Sequence, residues 1–325
     1  MKTISYSQFG DADVLQMTEV VTPSVTDKTV LIKVKAVSIN PLDWKIRNGE
    51  MKLMSGSKFP KKIGIDFSGV VEDTGNSIKS YKKGDQVFGL LNVFKGGALA
   101  EYIVAEEKDI APKPKKISFE QAAAAPVVGS ATIQIFQTLV SVQRGSEILI
   151  NGGSGGIGMF AIQIAKMKGA IVTAVVSTSG LKVAKDWGSD FVIDYRKDDV
   201  LKAGKLYDII IDLSNKMPYT KATTILKSSA TYVHTAPGPK EIISSFLTNI
   251  FSNKKYKVLM LKPSLSYLIT LTKYIDLGLS ILVSKGYPFN DFKKAYTEVP
   301  KEQTIGKAVI VVGEETIESV SAIEP

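Results

Sequence analysis

EILINGGSGGIGMFAIQIAKMKG, residues 147 to 169, joins an apolar strand to an amphipathic helix through a run of glycines. Gly153, Gly155 and Gly158 stand at G-x-G-x-x-G spacing, with Ser154, Gly156 and Ile157 between them, and the helix that follows carries Phe160, Ile162, Ile164, Ala165 and Met167. Glycine at those places allows a tight turn and a close backbone approach. The helix start then presents unpaired N–H groups and a positive dipole end to an anion, and a diphosphate fits that description. The same glycines would also serve a turn that merely packs a helix on a sheet.

The sequence around the elbow favours the first reading. Apolar strands recur at 171 to 177, 191 to 195, 208 to 212 and 230 to 234, separated by amphipathic helices, and KVLML at 257 to 261 is a sixth candidate. Such a βαβ succession forms a parallel sheet with helices on both faces, so the fold class is α/β and doubly wound. The first 110 residues read differently. TVLIKVKAV at 29 to 37 alternates apolar and polar residues, and GVVEDTG, KGDQVFGLL and EYIVAEE follow as short β-rich runs between glycine turns. Ser118 and Gln121 have the spacing of a capping box that opens a helix. We expect a mainly β domain over 1–122, the dinucleotide domain over 123–265, a return to the first domain over 266–312 and an acidic tail over 313–325.

Composition removes whole classes of chemistry. With no cysteine and one histidine, His234, the chain cannot build disulfides, iron–sulfur clusters, thiolate zinc sites or a Cys nucleophile. No metal is expected. A net charge of +9 suits anionic partners. No apolar leader opens the chain and no unbroken apolar run approaches membrane length, so a soluble cytoplasmic protein is expected. Charges at Lys273 and Asp276 interrupt the Leu-rich helix at 265 to 279. The basic, Leu-rich region 250 to 280 is nevertheless a candidate for weak association with anionic membranes.

The place where an NAD site carries Asp or Glu, about 20 residues past the glycines, holds Ser177. No acidic residue occurs from Met159 through Lys185, whereas Ser177, Thr178, Ser179 and Lys182 supply hydroxyls and a cation suited to a 2′-phosphate. NADPH is the expected cofactor. Lys182 facing water at a helix start is the plainer alternative.

Eight segments in order carry a resemblance: SINPLDWKIRNGE (38–50), GIDFSGVV (64–71), KGDQVFG (83–89), GGALAEY (96–102), AAAAPVVG (122–129), NGGSGGIG (151–158), GSDFVIDYR (188–196) and IGKAVIVV (305–312). The chain resembles the zinc-independent quinone oxidoreductase branch of the medium-chain dehydrogenase/reductase superfamily, near the enone and alkenal reductases and the chloroplast-envelope type. That resemblance implies a GroES-like substrate domain beside a Rossmann domain, an active site in the cleft between them, a homodimer, and reduction of quinones or α,β-unsaturated carbonyls. It also implies that Tyr195 approaches the 2′-phosphate and that a hydroxyl near Ser130 meets the cofactor. Relatives often have Gly-x-Thr where this chain has Gly129-Ser130-Ala131-Thr132.

Zinc-dependent relatives carry Cys where Asn40 stands. A conjugated C=C bond or a quinone suits a site without a strong Lewis acid, because incoming hydride leaves delocalised charge. Lys45 is the candidate to stabilise the resulting oxyanion, and Asn40 is a second contact. The plainer readings are a snorkelling surface lysine and an Asx turn before Pro41. Asp43 is expected to orient the loop or pair with Lys45, and Trp44 to pack. A different class of function stays open: a non-catalytic NADPH-binding or nucleic-acid-binding protein on the same fold. No RNA-binding module is visible.

Overall fold

Strand Thr29–Ser38 buries Val30, Ile32, Val34 and Ala36 and exposes Lys33, as its alternation requires. Around it a computed structural model, which describes residues 1 to 313, builds a seven-stranded sheet. The order is 283–288, 307–311, 29–38, 66–74, 86–90 and 110–112, with 102–106 also pairing with 29–38. Only the pair 283–288 with 307–311 is parallel. A three-stranded antiparallel sheet, 16–19, 2–6 and 61–62, accompanies it. Ile4, Tyr6, Ile32, Phe67, Leu99 and Tyr296 are among the fully buried side chains.

By its contacts the chain divides into two units, Met1–Val127 with Pro263–Asp276 and the stretch from Ile281, and Val128–Lys262 with Leu277–Ser280. Apart from Gly313, the acidic tail expected at 313–325 lies outside the described residues.

The second unit is a six-stranded parallel sheet. Along the chain its strands are 147–151, 171–176, 191–194, 207–212, 226–234 and 255–258, and in space they lie in the order 3-2-1-4-5-6. That is the doubly wound arrangement, and its switch point falls between 147–151 and 207–212. The short link Leu277–Ser280 is tied to this unit by Gln163, whose Oε1 accepts from Ser280 N–H (2.8 Å) and whose Nε2 donates to Ser280 O (3.0 Å).

Ser118 and Gln121 form the capping box that the sequence predicts. Helix Leu265–Asp276 turns Leu268, Leu271 and Ile275 inward. Leu268 and Leu271 therefore serve the core, while Ile269 on the same helix is 44% exposed. Among the described residues no helix is long and apolar enough to cross a membrane.

Candidate functional site

In the second unit the elbow is closed by direct contact between glycines. A Cβ on Gly158 would lie 2.4 Å from Gly153 O and 2.7 Å from Gly153 Cα, so the helix Gly156–Met167 approaches the turn as only glycine allows. The first bond within the helix runs from Met159 N–H to Gly155 O (2.9 Å), which leaves the N–H groups of Gly156, Ile157 and Gly158 ahead of the ladder. At Gly155 a Cβ would meet nothing nearer than Gly152 O at 3.7 Å, and this residue's backbone is ordinary. The two glycines thus serve different ends, one the fold and the other the space in front of it. Gly158→Ala should lower the melting temperature and NADPH affinity together. Gly155→Ala should keep the melting temperature within a degree or two and still lose at least tenfold in affinity by calorimetry. Unchanged affinity in Gly155→Ala would mean that no dinucleotide approaches the elbow.

At the switch point, Asn151 Nδ2 donates to Asp212 Oδ1 (2.9 Å) and Ser214 Oγ (2.8 Å), and Asp212 also accepts from the N–H groups of Ser214 and Met217 (both 3.1 Å). This network fixes the two strand ends on either side of the crevice. Ser130 is fully buried and its hydroxyl makes no hydrogen bond among the described residues, whereas Thr132 donates to Val128 O (2.8 Å). Of the two hydroxyls near Gly129, Ser130 is the one with an unmet donor, which fits a cofactor contact.

The end of the second strand departs from expectation. Ser177 is buried with its Oγ 3.1 Å from Ser179 Oγ. Thr178 Oγ1 donates to Asp194 Oδ2 (2.5 Å), and Asp194 Oδ1 accepts from Arg196 N–H (3.0 Å). The Thr178 hydroxyl expected at the 2′-phosphate is therefore committed to a carboxylate on the neighbouring strand. The hydrogen bond from Thr178 holds the Asp194 carboxyl below its usual range. The sequence window around Ser177 could not include Asp194, since parallel pairing of Val176 with Asp194 brings the two together. Lys182 is exposed. Tyr195 is about half exposed (46%), and its N–H donates to Val176 O (3.1 Å).

In the first unit Asn40 anchors a buried polar cluster. Its Oδ1 accepts from Lys307 Nζ (2.6 Å) and its Nδ2 donates to Asp66 Oδ2 (3.0 Å), so one amide links a buried cation to a buried anion. Lys307 also donates to Ile39 O (2.8 Å), and Asp66 accepts from Ser38 Oγ (2.7 Å) and Val127 N–H (2.9 Å). Burial pushes the Lys307 ammonium down and the Asp66 carboxyl up, and each opposes the other's shift. Asn40 is 2% exposed, and both ends of its amide are engaged here rather than in an Asx turn.

Helix Pro41–Arg47 begins at this cluster. Asp43, Ile46 and Arg47 are its buried face, with Trp44 packed against the first unit's core. Asp43 Oδ2 accepts from Asn40 N–H (2.8 Å) and Tyr296 Oη (3.3 Å). Asp43 does not pair with Lys45, because residues two apart point about 200° away from each other around a helix. Lys45 is half-buried on the opposite side, and its ammonium makes no hydrogen bond or ion pair among the described residues.

Burial, with the charge of Asp66 adding to it, pushes the Asp43 carboxyl up to about 7 against the opposing Asn40 N–H, Lys307 and Tyr296. Unfolding returns it to its ordinary value of 3.8, so the folded chain holds a proton that the unfolded chain releases between those values. The stability this adds is complete below the lower value and is lost as pH rises through the upper one. From pH 5 to 7, wild type should lose stability relative to Asp43→Asn with a limiting slope of about 1.4 kcal/mol per pH unit. Urea melts at stepped pH measure this, and parallel curves for the two proteins would refute it.

Comparison with known proteins agrees with both units. Residues 26–115 match the alcohol dehydrogenase GroES-like domain, and residues 187–310 match the zinc-binding dehydrogenase family. A chloroplastic quinone oxidoreductase of Triphysaria versicolor is 32% identical over 324 residues, covering 95% of this chain and 98% of that protein. The chain belongs to the quinone oxidoreductase branch of the medium-chain dehydrogenase/reductase superfamily. A chloroplastic NADPH-dependent alkenal/one oxidoreductase of Arabidopsis thaliana is also 32% identical, over 95% of this chain and 79% of that protein. Among solved structures, the quinone oxidoreductase of Coxiella burnetii superposes with a TM-score of 0.87 at 30% identity, over 96% of this chain and 99% of the other. The Escherichia coli quinone oxidoreductase complexed with NADPH has the same fold, with a TM-score of 0.83 at 21% identity over 96% and 100% of the two chains.

Proposed function

We propose that this chain is a zinc-independent reductase that uses NADPH to reduce quinones or the C=C bond of α,β-unsaturated carbonyls. The observation that carries this reading is the glycine-on-glycine elbow at the switch point of the parallel sheet, in a chain of this family. NADPH, when bound, supplies a hydride.

The N–H groups of Gly156, Ile157 and Gly158 hold its diphosphate, with Gly153, Ser154 and Gly155 forming the floor. Ser130 supplies a buried hydroxyl donor. Ser177, Lys182 and Tyr195 take the 2′-phosphate, while Thr178 positions the strand end through Asp194. The cysteine-free sequence has no thiolate to hold zinc, so charge developing on the substrate oxygen must meet an organic cation or a hydrogen-bond donor. Lys45 fills that role: its ammonium is uncommitted among the described residues and is carried by a helix whose inner face is fixed by Asp43. Asn40 acts through the buried cluster by fixing where that helix begins. The final proton on carbon or oxygen comes from water or a nearby donor.

Oxidation of NADPH at 340 nm with a panel of small enones and quinones tests the reading. Turnover with NADPH well above that with NADH is expected. Tight NADPH binding without turnover on any acceptor would reject it.

A further inference from the structure

We propose that the side chain of His234, the one histidine of the chain, holds the nicotinamide end of the dinucleotide. This role rests on the elbow being a diphosphate site, and it follows from the topology of the second unit. A doubly wound sheet consists of two mononucleotide-binding halves, and its ligand crosses the switch point along the carboxyl ends of the strands. With the diphosphate at the elbow after 147–151 and the 2′-phosphate at Ser177, past the end of 171–176, the adenosine half covers the ends of 147–151, 171–176 and 191–194. The nicotinamide half of the same molecule then falls on the other side, over the ends of 207–212 and 226–234. His234 is the last residue of strand 226–234 and pairs in register with Asp212, the carboxylate of the switch-point network.

One ring nitrogen is committed and the other is not. Ala236 N–H donates to Nδ1 (3.3 Å). A backbone N–H can only donate, so Nδ1 is the bare nitrogen and the neutral ring carries its proton on Nε2. Nε2–H makes no hydrogen bond among the described residues. The residue is also held in place. The buried Tyr232 meets the ring edge-on, 6.4 Å between centroids and 62° between planes. Leu259 N–H donates to His234 O (2.8 Å), and Thr235 Oγ1 donates to Asp212 O (2.9 Å). His234 is half-buried, so its free N–H is a directed donor with a ligand still to meet. The diphosphate is already served by the N–H groups of the elbow, and the acceptor that the nicotinamide ring itself offers is its carboxamide oxygen. A hydrogen bond from Nε2–H to that oxygen stops the ring from turning about its glycosidic bond and so fixes which face presents the hydride.

A single histidine gives a single set of imidazole resonances, so the whole protein labelled with nitrogen-15 reads this contact directly. The free protein should show Nδ1 bare and Nε2 protonated. NADPH should shift the Nε2 signal, whereas 2′,5′-ADP, which carries the adenosine half without nicotinamide, should leave it in place. By calorimetry His234→Phe, which keeps a ring against Tyr232, should bind NADPH about tenfold more weakly, the worth of one hydrogen bond, and 2′,5′-ADP as wild type does. His234→Gln, whose amide N–H reaches about as far as Nε2, should recover most of the loss. An Nε2 signal unmoved by saturating NADPH, or moved equally by 2′,5′-ADP, would overturn the proposal while leaving the elbow as a diphosphate site. Equal losses of both nucleotides in His234→Phe, or no recovery in His234→Gln, would do the same, because His234 would then only support the strand end. Failure of wild type to bind either nucleotide would remove the elbow reading and this role together.

Discussion

Lys45→Ala should lower kcat for enone reduction by about 10²–10³-fold, the usual cost of removing one donor to a developing oxyanion. The KM for NADPH should stay within about twofold, because the elbow and the strand ends proposed to hold the cofactor lie in the second unit. Lys45→Arg should recover part of the loss, since charge is retained while the geometry of its donors changes. Steady-state rates with a slow, soluble enone measure this directly. An unchanged kcat would make Lys45 a surface lysine whose stem covers apolar area, and the oxyanion would then need another donor.

Lys307→Met is the second large effect, and it acts on stability. The substitution removes the cation that faces Asp66 through Asn40 and leaves a fully buried carboxylate with its hydrogen bonds but no countercharge. Breaking such a pair costs about 3–5 kcal/mol. For a protein of this size that corresponds to a fall of roughly 4–7 °C in melting temperature. Asp66→Asn alone should destabilise less, because the amide oxygen can still accept from Val127 N–H while its NH2 donates to the Ser38 hydroxyl, which can also accept. The double variant Lys307→Met with Asp66→Asn should be more stable than the sum of the singles predicts, by about 1–3 kcal/mol. Thermal melts of the four proteins at one pH decide this, and strict additivity would mean that the two charges are not coupled.

The second unit was largely legible in the sequence. Its strands are apolar runs whose period and spacing are local properties, and the elbow glycines are contiguous, so neither required knowledge of distant residues. The buried cluster of the first unit was not legible. Asn40 and Asp43 could be named from their position beside Pro41, but Asp66, Tyr296 and Lys307 reach them from 26 to 267 residues away along the chain. No periodicity reports a contact of that kind. Lys307 looked like an ordinary lysine opening a strand, and lysines are seldom buried. Asp194 escaped for the same reason on a smaller scale, because register between parallel strands, rather than distance along the chain, sets it beside Thr178.

Strand Lys307–Val311 lies between 283–288 and 29–38 in the larger sheet. During vectorial synthesis on a ribosome, every other strand of that sheet emerges before it. Until it arrives, Asp66 and Asn40 have no ammonium to answer them, and the 36–38 end of strand 29–38 lacks its partner. A nascent chain halted short of residue 307 therefore retains the doubly wound unit as its self-sufficient part, while the β-rich unit waits as a client for chaperones. Premature stop codons ahead of that lysine should consequently yield protease-sensitive products in which the nucleotide-binding half survives limited digestion.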